Sequence, residues 1–350
     1  MDSISCNPAY ILTGNMENCS LLKNISSSGR LAEGKADTMA QLVRKLIDGY
    51  RDLMDNYSDP RVNDWFLMSG PFPTAVACLS YVYFVKVLGP RLMENRKPFE
   101  LRYILIGYNL FQVVFSAWLF YEALISGWLY HYSYRCQPVD YSNSPLALRM
   151  ARGCWWYYFS KFTEFFDTIF FVLRKKNDHI STLHVVHHGV MPMSVWFGVK
   201  FTPGGHSTFF GLLNTFVHII MYTYYLLAAL GPSMHRFLWW KRYLTVLQMV
   251  QFILVMVHAF QLLFIDCNYP RAFVWWIGMH AVMFYFLFSD FYKQAYKKAA
   301  NKKAMEAEKQ KTRQTNDVTD SNFYQQPEKM QALASGYTTL RHRAFIGQDG

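Results

Sequence analysis

Three histidines, His184, His187 and His188, stand at i, i+3 and i+4 in "HVVHH". Just upstream, "KFTEFFDT" carries Lys161, Glu164, Asp167 and Thr168. On helices, the three imidazoles share one face, and Lys161, Glu164 and Thr168 share another with Asp167 at its border. Downstream, Asn214, His218, Met221 and Tyr225 recur at helical spacing with Tyr222 alongside. "TVLQMVQ" then sets Thr245, Gln248 and Gln251 in one sector, with His258 about two turns beyond. A neutral imidazole can be a nucleophile, a base or, once protonated, an acid near neutral pH. Carboxylates beside it fix its tautomer. Ammonium and amide groups stabilise oxyanions and hold anionic substrates.

These groups sit in strongly apolar surroundings. Of 350 residues, 52% are hydrophobic and 17% charged, below the roughly 25% charged residues of soluble domains. Seven apolar stretches, approximately 66–87, 103–127, 154–173, 184–200, 207–229, 243–263 and 272–292, each approach the ~20 residues that a bilayer requires. Hydrocarbon offers the backbone no partners, so each stretch must be a helix, and the fold class is an all-α integral membrane protein with seven transmembrane helices. An ionisable group facing lipid costs about 2.5–3.5 kcal/mol. The four polar stripes are therefore expected to face one internal chamber, where groups desolvate one another and shift their pKa values.

Blander roles compete. His258 and His280 read as hydrogen-bonding links between helices. Gln248 and Gln251 suit either that role or site contact. His131, His206 and His235 lie in or near loops, and His206 of "GGHS" merits testing. Imidazoles at this spacing can bind metal. Membrane di-iron desaturases and hydroxylases use several such clusters, whereas this chain has one beside scattered single histidines, so redox iron is the weaker reading and stays as an alternative. A seven-span receptor has no need for three histidines with Lys, Glu and Asp near the cytosolic face.

Basic residues orient the chain. With the N-terminus away from the cytosol, cytosolic loops hold Lys86, Arg91, Arg96, Lys97 and Arg102, then Arg174, Lys175 and Lys176, then Arg236, Lys241 and Arg242. The C-terminal tail adds Lys293, Lys297, Lys298, Lys302 and Lys303. Opposite loops carry Arg135, Arg149, Arg152, Lys200 and Arg271. This is the positive-inside pattern. The net charge of +11 is thus a topology signal, and no nucleic-acid partner is inferred. Trp155–Trp156, Trp239–Trp240 and Trp275–Trp276 fall near span ends as interface anchors. Residues 1–60 read as a non-cytosolic tail without a signal-peptide pattern, with sequons at Asn18, Asn24 and Asn56. Leu42, Val43, Leu46, Ile47, Tyr50, Leu53 and Met54 form a stripe suited to a surface-lying or packed helix. Residues 61–298 form the membrane domain, and 299–350 a disordered basic cytosolic tail. Cys6 and Cys19 lie in the tail; Cys78 and Cys154 read as small buried hydrophobes. Cys136 and Cys267 fall in loops on the same, non-cytosolic side, where oxidation would pair them.

At this point the motifs resemble a known family. "KFTEFFDT", "HVVHH", "NTFVHIIMYTYY" (214–225) and "TVLQMVQ" match, in order and spacing, those of the very-long-chain fatty acid elongases, the ELO family. "DPRVNDWFLMSGP" (59–71) and "RCQPVDYS" (135–142) are also similar, and the resemblance covers about residues 57–300. "GGHSTFFGLLN" and "CNYPRAF" look most like arthropod members. The resemblance implies condensation of a long acyl-CoA with malonyl-CoA to a 3-oxoacyl-CoA, CO2 and CoA, in a tunnel surrounded by six of seven helices. With it come the bilayer, the two CoA thioesters and the cycle's reductase and dehydratase as partners, and residence in the endoplasmic reticulum. The sequence ends "FIGQDG", not in a dilysine, so that residence rests on the family. Homo-oligomerisation is compatible with all this. For such chemistry His187 is assigned as the acylated nucleophile, His218 as oxyanion stabiliser or second carrier of the acyl group, and His184 and His188 as orienting or acid–base groups. Glu164 and Asp167 would fix tautomers, and Lys161 and Asn214 would contact thioester, malonyl or CoA groups. Thr168, Tyr222, Tyr225, Gln248 and Gln251 complete the expected lining. A ternary mechanism with histidine as base, and a non-catalytic acyl-CoA carrier, remain the alternatives.

Overall fold

The computed structural model describes residues 38–297, 301 and 304–310, and every regular element among them is helical. Helix α1 spans 38–56. Helix α2, Phe72–Tyr83, continues through a π turn to Leu88 and a last α turn to Met93. Helix α3, Arg102–Ala123, ends in a π turn at Trp128. Then come α4 (Pro145–Thr163), α5 (Phe165–Leu173), α6 (Thr182–Phe201), α7 (Thr208–Ala229), α8 (Lys241–Phe260) and α9 (Arg271–Tyr292). Five stretches, Phe72–Met93, Arg102–Trp128, Gly205–Ala229, Lys241–Leu263 and Arg271–Tyr296, are long and apolar enough to cross a bilayer. The chain is a multi-pass membrane protein. The segments less apolar than these are α4–α5 and α6, which carry the ionisable residues.

Most expected boundaries agree with the helices to within a few residues, with two exceptions. The first apolar stretch begins at 66, but residues up to Pro71 form a loop with a short 3-10 turn at Pro60–Val62. The third was read from 154, whereas α4 starts at Pro145, directly after the N-cap Ser144, whose hydroxyl accepts from the Ala147 amide. Arg149 and Arg152 are therefore helical and not loop residues. Arg149 is neutralised by Glu122 of α3, at 2.7 and 3.0 Å.

The helices contact one another in a closed sequence: α3 meets α4, α4 meets α6, α6 meets α9, α9 meets α8, α8 meets α7, and α7 returns to α3. Helix α2 packs outside this ring on α6. In its last turn, Gly89 permits a close approach to α5, since a Cβ would stand 2.7 Å from Val172 Cγ1. Helix α1 leaves Leu42, Val43, Leu46, Ile47, Tyr50 and Leu53 exposed, while Met54 packs on the core. The sequons at Asn18 and Asn24, and Cys6 and Cys19, lie outside the described residues. So does most of the 299–350 tail, of which 304–310 are helical.

Loops stitch one end of the ring shut. Asp59, 1% exposed, caps the turn after it and binds the Arg61 guanidinium, which also donates to the Ser142 carbonyl. Lys200 donates to Asn63 Oδ1 and to the Met68 carbonyl, 2.6 and 3.0 Å. Hydrogen bonds from Ser142 hold the Asp140 carboxyl below the usual carboxylate range. The His206 amide donates to the Gln137 carbonyl. Gly205, at φ 66°, permits that approach, because a Cβ would lie 2.9 Å from Gln137 O and Val139 N. Cys136 and Cys267 form a disulfide with Cα atoms 5.7 Å apart. Replacing both cysteines by serine is expected to lower the melting temperature in detergent by roughly 5–15 °C, equivalent to about 2–4 kcal/mol. An unchanged melting curve would show that the loops alone hold this end.

Candidate active site

The polar groups gather where α4 gives way to α5. Ser160 and Thr163 turn their hydroxyls back onto the carbonyls of Tyr157 and Ser160, both at 2.7 Å, in competition with the helical ladder. The helix breaks at Glu164 and restarts at Phe165. From α3, Tyr108 donates to the Thr163 carbonyl at 3.0 Å, and the Gln112 amide lies against both Tyr108 and Thr163.

The break turns Lys161 and Glu164 inward, 1% and 2% exposed. Lys161 Nζ lies 2.5 Å from Glu164 Oε1 and 3.2 Å from Asn214 Oδ1, and 4.4 Å above the Tyr157 ring. Tyr157 also donates to Asn214 Oδ1 at 2.7 Å. Two donors on Oδ1 assign the Asn214 amide, so its Nδ2 donates to His218 Nε2 at 3.2 Å. His218 must then carry its proton on Nδ1, which lies 3.4 Å from Glu164 Oε1. Glu164, Lys161, Asn214 and His218 thus form a closed circuit across the ring from α4 to α7. Glu164 Oε2 is buried and unpartnered.

The histidines of α6 form a neighbouring group. Ser181 caps the helix by accepting from the His184 amide at 3.2 Å. The His188 ring lies 4.5 Å from that of His184 and 5.1 Å from that of His187. Tyr81 of α2 covers His188, and Phe284 of α9 lies 5.0 Å from His187. His184 Nε2 is buried without a partner, and His187 makes no hydrogen bond with the described residues. Pro192, one turn on, has no N–H for the His188 carbonyl.

Other expected residues divide. Asp167 accepts from Tyr222 at 2.7 Å, at the edge of the circuit. Thr168 turns away and bonds Tyr81 at 2.7 Å, because the break at Glu164 ends the single face expected for 161–168. Gln248 reaches Met221 Sδ on α7, and Gln251 is buried with Nε2 unpartnered. Tyr225 packs edge-on against Tyr222 and joins no hydrogen bond of the site. Neither expected helix link is made by the imidazole: among the described residues the ring of His258 hydrogen-bonds only Gln261, three residues on, while its backbone carbonyl accepts from His206 at 2.8 Å, and His280 bonds Trp276 of its own helix. Sequence reasoning missed Tyr157, Tyr108 and Gln112. Tyr157 stands four residues before Lys161, on the same face, and Tyr108 and Gln112 are likewise spaced by four. Among the described residues, no three His, Cys, Asp or Glu side chains are grouped to hold one metal ion.

Tyr157 also walls an apolar cavity of about 100 Å3 inside the ring. Leu119, Met150, Val199 and Phe273 line it, with Thr202 and Ser207 at the stitched end. Gly153 and Gly198 face it with open space where a Cβ would stand. The arrangement is a polar head above an apolar shaft, suited to an amphiphile whose reactive group is polar and whose remainder is hydrocarbon.

Comparison with known proteins agrees with the geometry. Residues 66–304 match the model of the ELO: GNS1/SUR4 family. A very long chain fatty acid elongase of Aedes aegypti is 72% identical over 268 residues, covering 76% of this chain and 75% of its own. Very long chain fatty acid elongase 7 of Drosophila melanogaster is 71% identical over 256 residues, covering 73% and 78%. Human very long chain fatty acid elongase 1 is 47% identical, covering 73% and 92%. With the family model spanning most of the chain and relatives this similar, the chain belongs to the ELO: GNS1/SUR4 family.

Proposed function

We propose that this protein is the condensing enzyme of fatty acid elongation, joining a long-chain acyl-CoA to malonyl-CoA and releasing CO2, CoA and a 3-oxoacyl-CoA two carbons longer. The observation that carries this reading is the Lys161–Glu164–His218–Asn214 circuit beside the three histidines, at the head of an apolar cavity that shares Tyr157 with it. The relatives' names support it.

In the first stage a ring nitrogen of His187 attacks the thioester carbonyl. The tetrahedral intermediate collapses with loss of the CoA thiolate, which takes up a proton, and leaves an acyl-imidazole. His187 suits this role because no hydrogen bond with the described residues occupies its lone pair. His184 and His188 orient it and move protons. In the second stage malonyl-CoA loses CO2, and the electron pair of the broken bond becomes an enolate. Its carbon attacks the acyl carbonyl, a second tetrahedral intermediate collapses, and the imidazole leaves. The second N–H of the Asn214 amide and the remaining N–H of the Lys161 ammonium are left for the developing oxyanions, while His218, whose single N–H is directed at Glu164, holds the Asn214 amide in place beforehand and is a positioning residue rather than the expected oxyanion stabiliser. Neither stage requires a metal or redox cofactor.

In this reading α4–α5 and α6 also cross the bilayer, giving seven spans, and the six ring helices surround a tunnel. Their polar faces point inward, so lower apolarity does not prevent insertion. The stitched end lies in the lumen of the endoplasmic reticulum. The histidine end opens to the cytosol, where Arg174, Lys175 and Lys176 attract the anionic CoA. The reductase and dehydratase that complete each cycle receive the product there.

Mixed with acyl-CoA alone, the protein should release about one equivalent of CoA and no more. His187→Ala should abolish that release and reduce condensation roughly a thousandfold while remaining folded. Condensation without prior CoA release would favour the ternary mechanism, and neither reaction would leave a carrier.

Iron chelation should leave condensation unchanged. Loss on chelation, restored by iron, would revive the di-iron reading.

Filling the open space at Gly198 with Gly198→Leu should shorten the longest product seen by mass spectrometry. An unchanged product profile would place the acyl chain elsewhere.

A further inference from the structure

A second polar cluster lies at the stitched end of the apolar cavity. Ser207, Phe210 and Ile277 line both that cavity and a smaller void of about 10 Å3, large enough for one water-sized group. His206, His258 and Tyr269 also line the small void. His206 and Tyr269 are 3% and 5% exposed, and the two imidazoles stack with centroids 3.8 Å apart. His206 Nδ1, His258 Nε2 and the Tyr269 hydroxyl are all buried and without hydrogen-bond partners. Ser207 and Thr202 lie near the tyrosine hydroxyl; their own hydroxyls donate to the carbonyls of Gly204 and Gly198, and their oxygens keep lone pairs towards which Tyr269 can turn.

One surrounding hydrogen bond fixes what His206 offers. His206 Nε2 meets the His258 carbonyl at 2.8 Å, so it carries the proton and Nδ1 is left as an acceptor. Gln261 Nε2 lies 2.9 and 3.0 Å from the Tyr134 and His258 carbonyls and 3.1 Å from His258 Nδ1, so its two hydrogens leave the His258 tautomer free and Nε2 can present either a donor or an acceptor. The small void that adjoins the apolar cavity therefore presents an acceptor and a second unpaired imidazole nitrogen, with a tyrosine hydroxyl beside them. A methyl terminus arriving there would leave both imidazole nitrogens unsatisfied, which is costly. A hydroxyl, which donates and accepts, would satisfy them.

We propose that His206, His258 and Tyr269 form a subsite for the terminal hydroxyl of an ω-hydroxyacyl chain. The proposal rests on the condensing reading, which places the thioester at the other end of the cavity. It makes ω-hydroxyacyl-CoAs of one matching length a further substrate class. Shorter ω-hydroxy chains should be poor substrates, because their hydroxyl stops within the apolar shaft without a partner.

The test is elongation of a ladder of saturated acyl-CoAs, each paired with its ω-hydroxy counterpart, read as the ratio of kcat/KM at each length. The expected ratio lies below one for short chains and rises to roughly three- to tenfold in favour of the hydroxyl at one length. Tyr269→Phe, which removes only the hydroxyl, and His258→Leu should each flatten that maximum towards or below one. A ratio below one at every length, with alkyl chains elongated normally, would show that the void holds water only and would overturn the subsite. A maximum that survives both variants would also overturn it. Failure to elongate any acyl-CoA would instead defeat the condensing reading.

Discussion

A buried ion pair, Lys161 to Glu164, sets the terms for the rest of the molecule. Desolvating two such charges costs several kcal/mol each, and their attraction compensates only when further hydrogen bonds complete the arrangement. Tyr157, Asn214 and His218 supply that completion. Because Asn214 and His218 belong to α7, the two charges on α4 are stable only when α7 stands opposite. The pair thus specifies how two helices face one another, which hydrocarbon packing alone does weakly in a bilayer. It also explains the helix break, since a continuous helix would not present Lys161 and Glu164 together while Thr168 reaches Tyr81 in the opposite direction.

The two ends of the ring differ in how they are held. At one end, backbone carbonyls, charged side chains and a covalent bond join loops far apart in sequence. At the other, the histidines sit within the first two turns of α6, fixed by a serine cap and ring contacts. About 20 Å of helix separates His188 from Phe201, and the apolar cavity occupies that interval. The two ends are therefore held in place by separate sets of contacts.

Much of this was legible in the residues. Apolar length marked the helices, and the cost of intramembrane charge predicted that the stripes of Lys161, His187, Asn214 and Gln251 would turn inward. The start of α4 was misplaced because Arg149 and Arg152 resembled loop charges. The Ser144–Pro145 cap signal was present, but Glu122, which makes Arg149 tolerable, lies on another helix and no local rule connects them. Thr168 and Tyr225 were assigned to the site by helical spacing, which assumes an unbroken and correctly rotated helix. Tyr157, Tyr108 and Gln112 escaped notice because a tyrosine or lone glutamine in an apolar run is ordinary until its partner is known.

The Cys136–Cys267 bond has a consequence for how the protein is made. The cysteines are 131 residues apart, and α4 through α8 lie between them. They can meet only if both loops are delivered to the same side of the membrane, which requires an even number of crossings in between. Helices α7 and α8 provide two, so α4–α5 and α6 must both cross or both remain outside. At ordinary synthesis rates Cys136 waits roughly 7–26 s as a free thiol before Cys267 is made. A chain that inserts one helix backwards strands that thiol permanently. Formation of the bond thus works as a parity check on biogenesis, completed before any substrate is encountered.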